Sequence, residues 1–178
     1  MGTPYRVMTV CTGNICRSPI AEAVLRDRFE AAGLDDRVVV DSTGVSSEEH
    51  GNPIDDRAAA VLREHGYPVP AHVARQVRLT DVAASDLVLA MTSEHATALR
   101  VLARGAADAA ARVRMYRSFD PAAPRVAPGG HEHLLDIDDP WYGDAVDFED
   151  CLAQIESGAD GIVAHVAAAL AERDGKSG

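Results

Sequence analysis

Four short runs rich in apolar and β-branched residues punctuate the chain: Arg6 to Val10, Val38 to Asp41, Asp86 to Met91 and Val113 to Tyr116. Between and after them lie segments with helical spacing, Pro19 to Ala32, Asp55 to His65, Ser93 to Arg104 and Phe148 to Glu172. This alternation predicts a single α/β domain: a central four-stranded parallel sheet flanked by helices on both faces. Ligands of such sheets bind at the carboxyl ends of strands, where strand order reverses. Cys11 stands at that end of the first strand. The stretch from Ala106 to Ala111 reads as a small-residue helix or linker. Asp120 to Asp139 is irregular, rich in Pro and Gly, and ends in acids; loops of this length are usually functional or disordered. The polar tail from Arg173 to Gly178 is expected to fray. No internal repeat is present.

Composition narrows the choice of partners. A formal net charge of −11 over 178 residues argues against nucleic acid or an anionic membrane as partner, because both need basic surfaces. An anionic substrate gains no long-range attraction either, so its capture needs a local positive site. Three cysteines make an odd number without the spacing of a disulfide-stapled secreted domain. The first residues lack a signal-peptide core, Arg6 breaks the myristoylation pattern, and the apolar run near Ile162 to Leu170 is too short to span a bilayer. A cytoplasmic protein with reduced thiols is the expectation.

The local positive site is the run Cys11-Thr12-Gly13-Asn14-Ile15-Cys16-Arg17-Ser18-Pro19. Gly13 and Asn14 tolerate left-handed backbone, as a tight loop needs if its N–H groups are to converge on one point. Ser18 reads as a helix N-cap and Pro19 as the first helical position, aiming the positive end of a helix at that point. Arg17 adds a guanidinium fork suited to two phosphate oxygens. The same field is expected to lower the Cys11 thiol from about 8.5 by one to several units, giving a thiolate nucleophile. Thr12, Gly13, Asn14, Ile15, Cys16 and Ser18 then form a phosphate cradle above it.

Phosphoryl transfer to sulfur must protonate a poor leaving group, so a carboxylic acid should face the cradle. Asp138-Asp139-Pro140-Trp141-Tyr142-Gly143 is the candidate run. Pro140 stiffens the backbone after Asp139, the aromatics can wall a pocket, and repulsion among Asp136, Asp138 and Asp139 would raise one carboxyl. The alternative is a solvated acidic turn.

The Cys11 loop with its continuation Ile20-Ala21-Glu22-Ala23, together with Asp139-Pro140-Trp141-Tyr142-Gly143, resembles the low-molecular-weight protein-tyrosine phosphatases. The resemblance extends from residue 5 to about 172 and includes Asp41-Ser42, Gly51-Asn52-Pro53, His72-Val73-Ala74-Arg75-Gln76 and Ser118-Phe119-Asp120-Pro121. It implies Cys11 as nucleophile, Arg17 as phosphate clamp and Asp139 as general acid, then general base. It implies that Asn14, Ser18, Ser42 and His72 brace the loop, that Ser18 stabilises Cys11 as a leaving thiolate, and that neither metal nor other cofactor is needed. Tyrosine-phosphorylated proteins, and the kinase that makes them, are the implied partners. In the segment matching Ser46 to His50 the family often places an aromatic at the rim. Glu48 or Glu49 stands here instead, which should disfavour acidic flanks, and Trp141 or Tyr142 would supply the wall.

Other residues leave alternatives. Cys16 is either a core residue or a resolving thiol for Cys11, and Cys151 reads as core. His131 and His133 form a His-x-His pair without nearby cysteine ligands. Tyr142 is a candidate phosphorylation target because it adjoins Asp139. Rival functions are a thiol-dependent arsenate reductase, which needs more cysteines than Cys151 outside the loop, and a phosphate-recognition module without turnover. A third is a phosphoarginine phosphatase; resemblance implies that such enzymes prefer Thr at the position of Ile15.

Overall fold

The computed structural model describes residues 3–176. Its elements in chain order are β1 (Tyr5–Cys11), α1 (Arg17–Ala31), β2 (Val38–Gly44), α2 (Asp56–Glu64), α3 (Leu79–Ala84), β3 (Leu87–Ala90), α4 (Ser93–Leu102), α5 (Ala107–Ala111), β4 (Val113–Met115) and α6 (Ala145–Lys176), with short 3-10 turns between β4 and α6. The four strands are parallel in the order β2-β1-β3-β4. All four apolar runs are therefore strands of one sheet.

Alternation along β1 splits the core in two, because successive side chains point to opposite faces. Val7 and Cys11 join the cluster under α1, α2 and α6, which includes Ile20, Leu62 and Ile155. Met8 and Val10 join Val82, Leu99 and Ala109 under α3, α4 and α5. The chain leaves β1 toward β2 on one side and returns to β3 on the other, so strand order reverses at β1. The crevice above its carboxyl end is where the loop after Cys11 emerges.

Helix α1 is buried on every residue from Arg17 to Leu25, as expected of a helix gripped by both sheet and α6. Its one buried acid, Glu22, takes the Arg26 guanidinium at 2.6 Å and the Ser42 hydroxyl at 2.6 Å. At the back of the molecule α6 receives Tyr116, whose hydroxyl donates to the Ile155 carbonyl at 2.9 Å. Gly158 and Gly161 make the room: a Cβ at the first would sit 3.0 Å from the Tyr116 ring, and one at the second would run into the Phe119 carbonyl oxygen.

Several boundaries differ from the sequence pattern. Helix α3 escapes the pattern because it has only six residues; the Asp81 carboxylate accepts the Arg78 N–H at 2.7 Å to start it. The last helix begins earlier than Phe148 and continues to Lys176, while residues 177–178 of the tail, like residues 1–2, lie outside the described chain. The irregular stretch before Asp139 crosses the top of the sheet, pinned where the Ile137 N–H donates to the Met91 carbonyl at 2.9 Å. No helix among the described residues is long and apolar enough to cross a membrane.

Candidate active site

The loop after β1 turns at Asn14, whose φ of 61° is the positive value found at a non-glycine among the described residues. Asn tolerates this conformation better than most side chains do, but some strain remains. Four contacts hold it. Asn14 Nδ2 donates to Ser18 Oγ at 2.9 Å and to Ser42 Oγ at 3.0 Å, and Oδ1 accepts the Arg75 N–H at 3.0 Å. The Asn14 carbonyl faces His72 Nε2 at 2.6 Å. Ser42 and His72 therefore both stand beside Asn14. Gly13 tolerates left-handed backbone but does not adopt it; its missing side chain provides space instead, since a Cβ there would lie 3.0 Å from Glu49 Cγ.

A second glycine, overlooked in the sequence, matters more. Gly44 ends β2 directly behind the loop, and a Cβ on it would come within 2.5 Å of the Thr12 carbonyl oxygen and 3.0 Å of the Asn14 nitrogen. The next residues continue the contact: Val45 and Ser46 donate their N–H groups to the Cys11 and Thr12 carbonyls at 2.9 and 3.0 Å. Only a residue without a side chain lets β2 lie this close.

The Cys11 sulfur is buried at the floor. It accepts the Asn14 N–H at 3.3 Å and lies 3.1 Å from the Ser18 hydroxyl. Ser18 is not the helix cap that its sequence position suggested. α1 begins at Arg17, the capping position is Cys16, and no side chain bonds there. The Ser18 hydroxyl turns inward, choosing between the Cys11 sulfur and the Thr43 carbonyl at 3.2 Å. A capping side chain would consume the N–H donors of the first turn; without one, they and the helix dipole remain for an anion.

Arg17 is only 4 % exposed. Its NH1 donates to the Ile137 carbonyl at 2.9 Å, and NH2 donates to Asp139 Oδ2 at 3.0 Å and to Thr12 Oγ1 at 3.3 Å. Its Nε is buried with no hydrogen-bond partner among the described residues. A buried unsatisfied donor is costly, about 1–3 kcal/mol, and calls for an explanation in a native structure. Here it belongs to a guanidinium lining a cavity with a thiol at its floor.

Asp139 precedes the 3-10 turn Pro140–Tyr142, and its Oδ1 accepts the Trp141 N–H at 3.2 Å. The expected acidic cluster is divided. Asp136 is drawn away to the start of α4, accepting the Ser93 N–H at 2.6 Å and hydroxyl at 3.3 Å, and Asp138 faces solvent. The turn is tied down by Arg57, a residue without any sequence signal. Its guanidinium grips Asp55, donates to the Trp141 and Gly143 carbonyls at 3.2 and 3.4 Å, and lies 4.8 Å from the Phe148 ring centre.

Together these parts enclose about 160 Å³ lined by Cys11, Thr12, Gly13, Ile15, Cys16, Arg17, Glu48, Glu49, Asp139, Trp141 and Tyr142. The Trp141 and Tyr142 rings meet edge to face at 5.0 Å, with Tyr142 84 % exposed. Glu49 is steadied by Asn52 Nδ2 at 2.7 Å. Cys16 is 4 % exposed, and burial followed by the Asp55 charge pushes its thiol well above the ordinary range. Cys151 is deep in the core, its thiol pushed up to about 12 by burial. His95, unnoticed in the sequence, has Nε2 2.8 Å from Thr12 Oγ1.

Residues 6–172 match the family described as low molecular weight phosphotyrosine protein phosphatase. The chain belongs to this family. It is 48 % identical over 162 residues to a low molecular weight protein-tyrosine-phosphatase of Streptomyces coelicolor, covering 91 % of this chain and 93 % of that one. The fold is similar to that of YfkJ from Bacillus subtilis, with a TM-score of 0.81 at 30 % identity over 93 % of this chain and 96 % of that one. It is also similar to YwlE arginine phosphatase, in a cysteine-to-serine variant with a phosphorylated active-site serine, with a TM-score of 0.73 at 26 % identity over 90 % and 95 % of the two chains. As a member of the phosphatase family the protein is a hydrolase.

Proposed function

We propose that the protein hydrolyses phosphotyrosine in proteins through a phosphocysteine on Cys11. The observation that carries this reading is the buried Arg17 guanidinium, its Nε without a hydrogen-bond partner among the described residues, lining the same cavity as Cys11. A phosphate dianion suits that guanidinium together with the uncapped first turn of α1.

In the first step the Cys11 sulfur attacks phosphorus, the sulfur–phosphorus bond forming as the bond to the phenolic oxygen breaks. Asp139 gives its proton to that oxygen. The three equatorial oxygens stay with Arg17 and the loop N–H groups, where charge is stabilised by donors already in place. In the second step water attacks the phosphocysteine, Asp139 takes its proton, inorganic phosphate leaves, and the electron pair returns to sulfur. The Asn14 N–H and the Ser18 hydroxyl, at 3.3 and 3.1 Å, stabilise the departing sulfur. The phosphorylated serine of the YwlE variant supports covalent transfer at this position.

The likeness to an arginine phosphatase makes phosphoarginine the second reading. Ile15, with Trp141 and Tyr142, gives the cavity an apolar wall suited to the flat face of a phenyl ring. An arsenate reductase relay needs a reachable thiol outside the loop, and Cys151 is packed in the core. Tyrosine-phosphorylated proteins of the cytoplasm, and the kinase that supplies them, follow as the partners of this reading.

Rapid quenching with radiolabelled phosphotyrosine peptide tests the proposal. Label should accumulate on Cys11 in the intact enzyme and form far more slowly in Asp139→Ala, while Cys11→Ser should bind the peptide without releasing phosphate. Turnover by Cys11→Ser, or faster release from phosphoarginine than from phosphotyrosine, would overturn it.

A further inference from the structure

His95 is 4 % exposed at the third position of α4, and no step above uses it. Its Nδ1 accepts the Thr92 backbone N–H at 3.2 Å, while Thr92 Oγ1 accepts the His95 N–H at 3.3 Å, a reciprocal cap at the helix start. A backbone N–H can only donate, so Nδ1 carries no proton and the ring proton sits on Nε2. Charging the ring is opposed by burial and then by the Arg17 cation, which push its pKa down to about 3. The imidazole is thus neutral, in one tautomer, and Nε2 is the donor in its 2.8 Å contact with Thr12 Oγ1.

Thr12 Oγ1 also accepts from Arg17 NH2 at 3.3 Å. With both lone pairs engaged, the hydroxyl has only its proton left to give, and Thr12 lines the cavity above Cys11. We propose that His95 is a positioning residue for phosphoryl transfer: by filling the second acceptor site of Thr12 it commits that hydroxyl to donate to a phosphoryl oxygen. The inference rests on the phosphatase reading and adds a fixed neutral donor to the cradle. Without His95 the hydroxyl turns freely and spends part of its time as an acceptor, which a phosphate oxygen cannot use.

The test is a double-mutant cycle on an aryl phosphate, with inhibition by inorganic phosphate as the measure of binding. Thr12→Val should weaken phosphate inhibition and kcat/KM by roughly tenfold or more, the worth of a hydrogen bond to a charged group. His95→Asn keeps an acceptor near Thr92 but falls short of Thr12, and should show a similar loss. His95→Gln, whose amide reaches Thr12, should restore much of it. In the Thr12→Val background His95→Asn should cost no more than about twofold further, since coupled residues are non-additive; a full further loss would overturn the proposal. So would a loss confined to phenyl phosphate and absent for activated esters, which would put the hydroxyl on Asp139. Should a variant fail to fold, nitrogen NMR of the wild-type ring decides: Nε2–H at neutral pH is expected, and Nδ1–H or a charged ring would refute the assignment. A Cys11→Ser control separates this from the catalytic reading, whose failure would appear as turnover in that variant.

Discussion

Arg17 and Asp139 meet at 3.0 Å, guanidinium to carboxylate, across the mouth of the cavity. Asp139 and an incoming phosphate dianion therefore compete for the same cation. On the proposed mechanism, filling the cradle would loosen Asp139 from Arg17 as a leaving oxygen arrives beside it. Asp139→Asn should slow release from phenyl phosphate by about 10²–10⁴-fold and release from p-nitrophenyl phosphate far less, while inorganic phosphate inhibits more strongly. Equal losses on both esters would remove Asp139 from the role of acid.

Arg57 holds the Asp139 turn by two backbone carbonyls and does not itself line the cavity. Arg57→Met keeps an apolar side chain of similar length but loses both bonds and the guanidinium over Phe148. Turnover of phenyl phosphate should fall roughly ten- to a hundred-fold, as expected when a reacting group is misplaced from a distance, with phosphate inhibition little changed. Steady-state kinetics would show the split; a parallel loss of phosphate binding would mean that Arg57 supports the cradle instead.

Glu48 and Glu49 both line the cavity mouth. Replacing Glu49 by Gln should raise kcat/KM for acid-flanked phosphopeptides by a few-fold relative to base-flanked ones at low salt. The difference should vanish in concentrated salt, because charges at a wet rim are weak and screened. A peptide array read at two ionic strengths would test this, and an unchanged ranking would deny the rim any role in selection.

Gly44→Ala forces a methyl group against Thr12 and Asn14 backbone atoms that cannot step aside. Overpacking of this kind costs about 1–3 kcal/mol, and the strain falls on the loop carrying the donors. Thermal unfolding and phosphate inhibition should both worsen. Full activity with a normal melting point would mean the loop is softer than its contacts imply.

Acid stability provides a further check on His95. Its folded-state pKa of about 3 lies below the ordinary 6.5. Below pH 6.5 the unfolded chain takes up a proton that the folded one refuses until about pH 3. The stabilisation is thus complete above 6.5 and is lost progressively as pH falls through that window. Urea midpoints measured across it should fall less steeply in His95→Gln than in wild type; identical slopes would show the ring is not held neutral.

The sheet was legible because each strand is a short apolar run between helical segments, and the cradle because Cys11, Asn14 and Arg17 lie within one loop. Ser18 misleads because Ser before Pro is the usual sign of a helix cap; the fold turns its hydroxyl inward to the Cys11 sulfur and the Thr43 carbonyl and leaves the helix end open. Arg57, Gly44 and His95 were invisible for a common reason: each acts across a distance in sequence, through a backbone carbonyl, a missing side chain or a hydroxyl. Ile137 is more hidden still, since its contribution to Arg17 is a carbonyl that any residue would carry. The acids at 136, 138 and 139 looked like one group, and only the pull of the α4 amides on Asp136 divides them.

Gly158 and Gly161 cut a notch into α6 in which Tyr116 and Phe119 rest. From that anchorage the chain runs over the sheet to Ile137, where it meets the clamp, and on to Asp139. A bulkier residue at 161 would tilt the anchorage, and the tilt would travel forward along the strap. Damage done on the far side of the molecule would then register as slow chemistry, with the sulfur itself undisturbed.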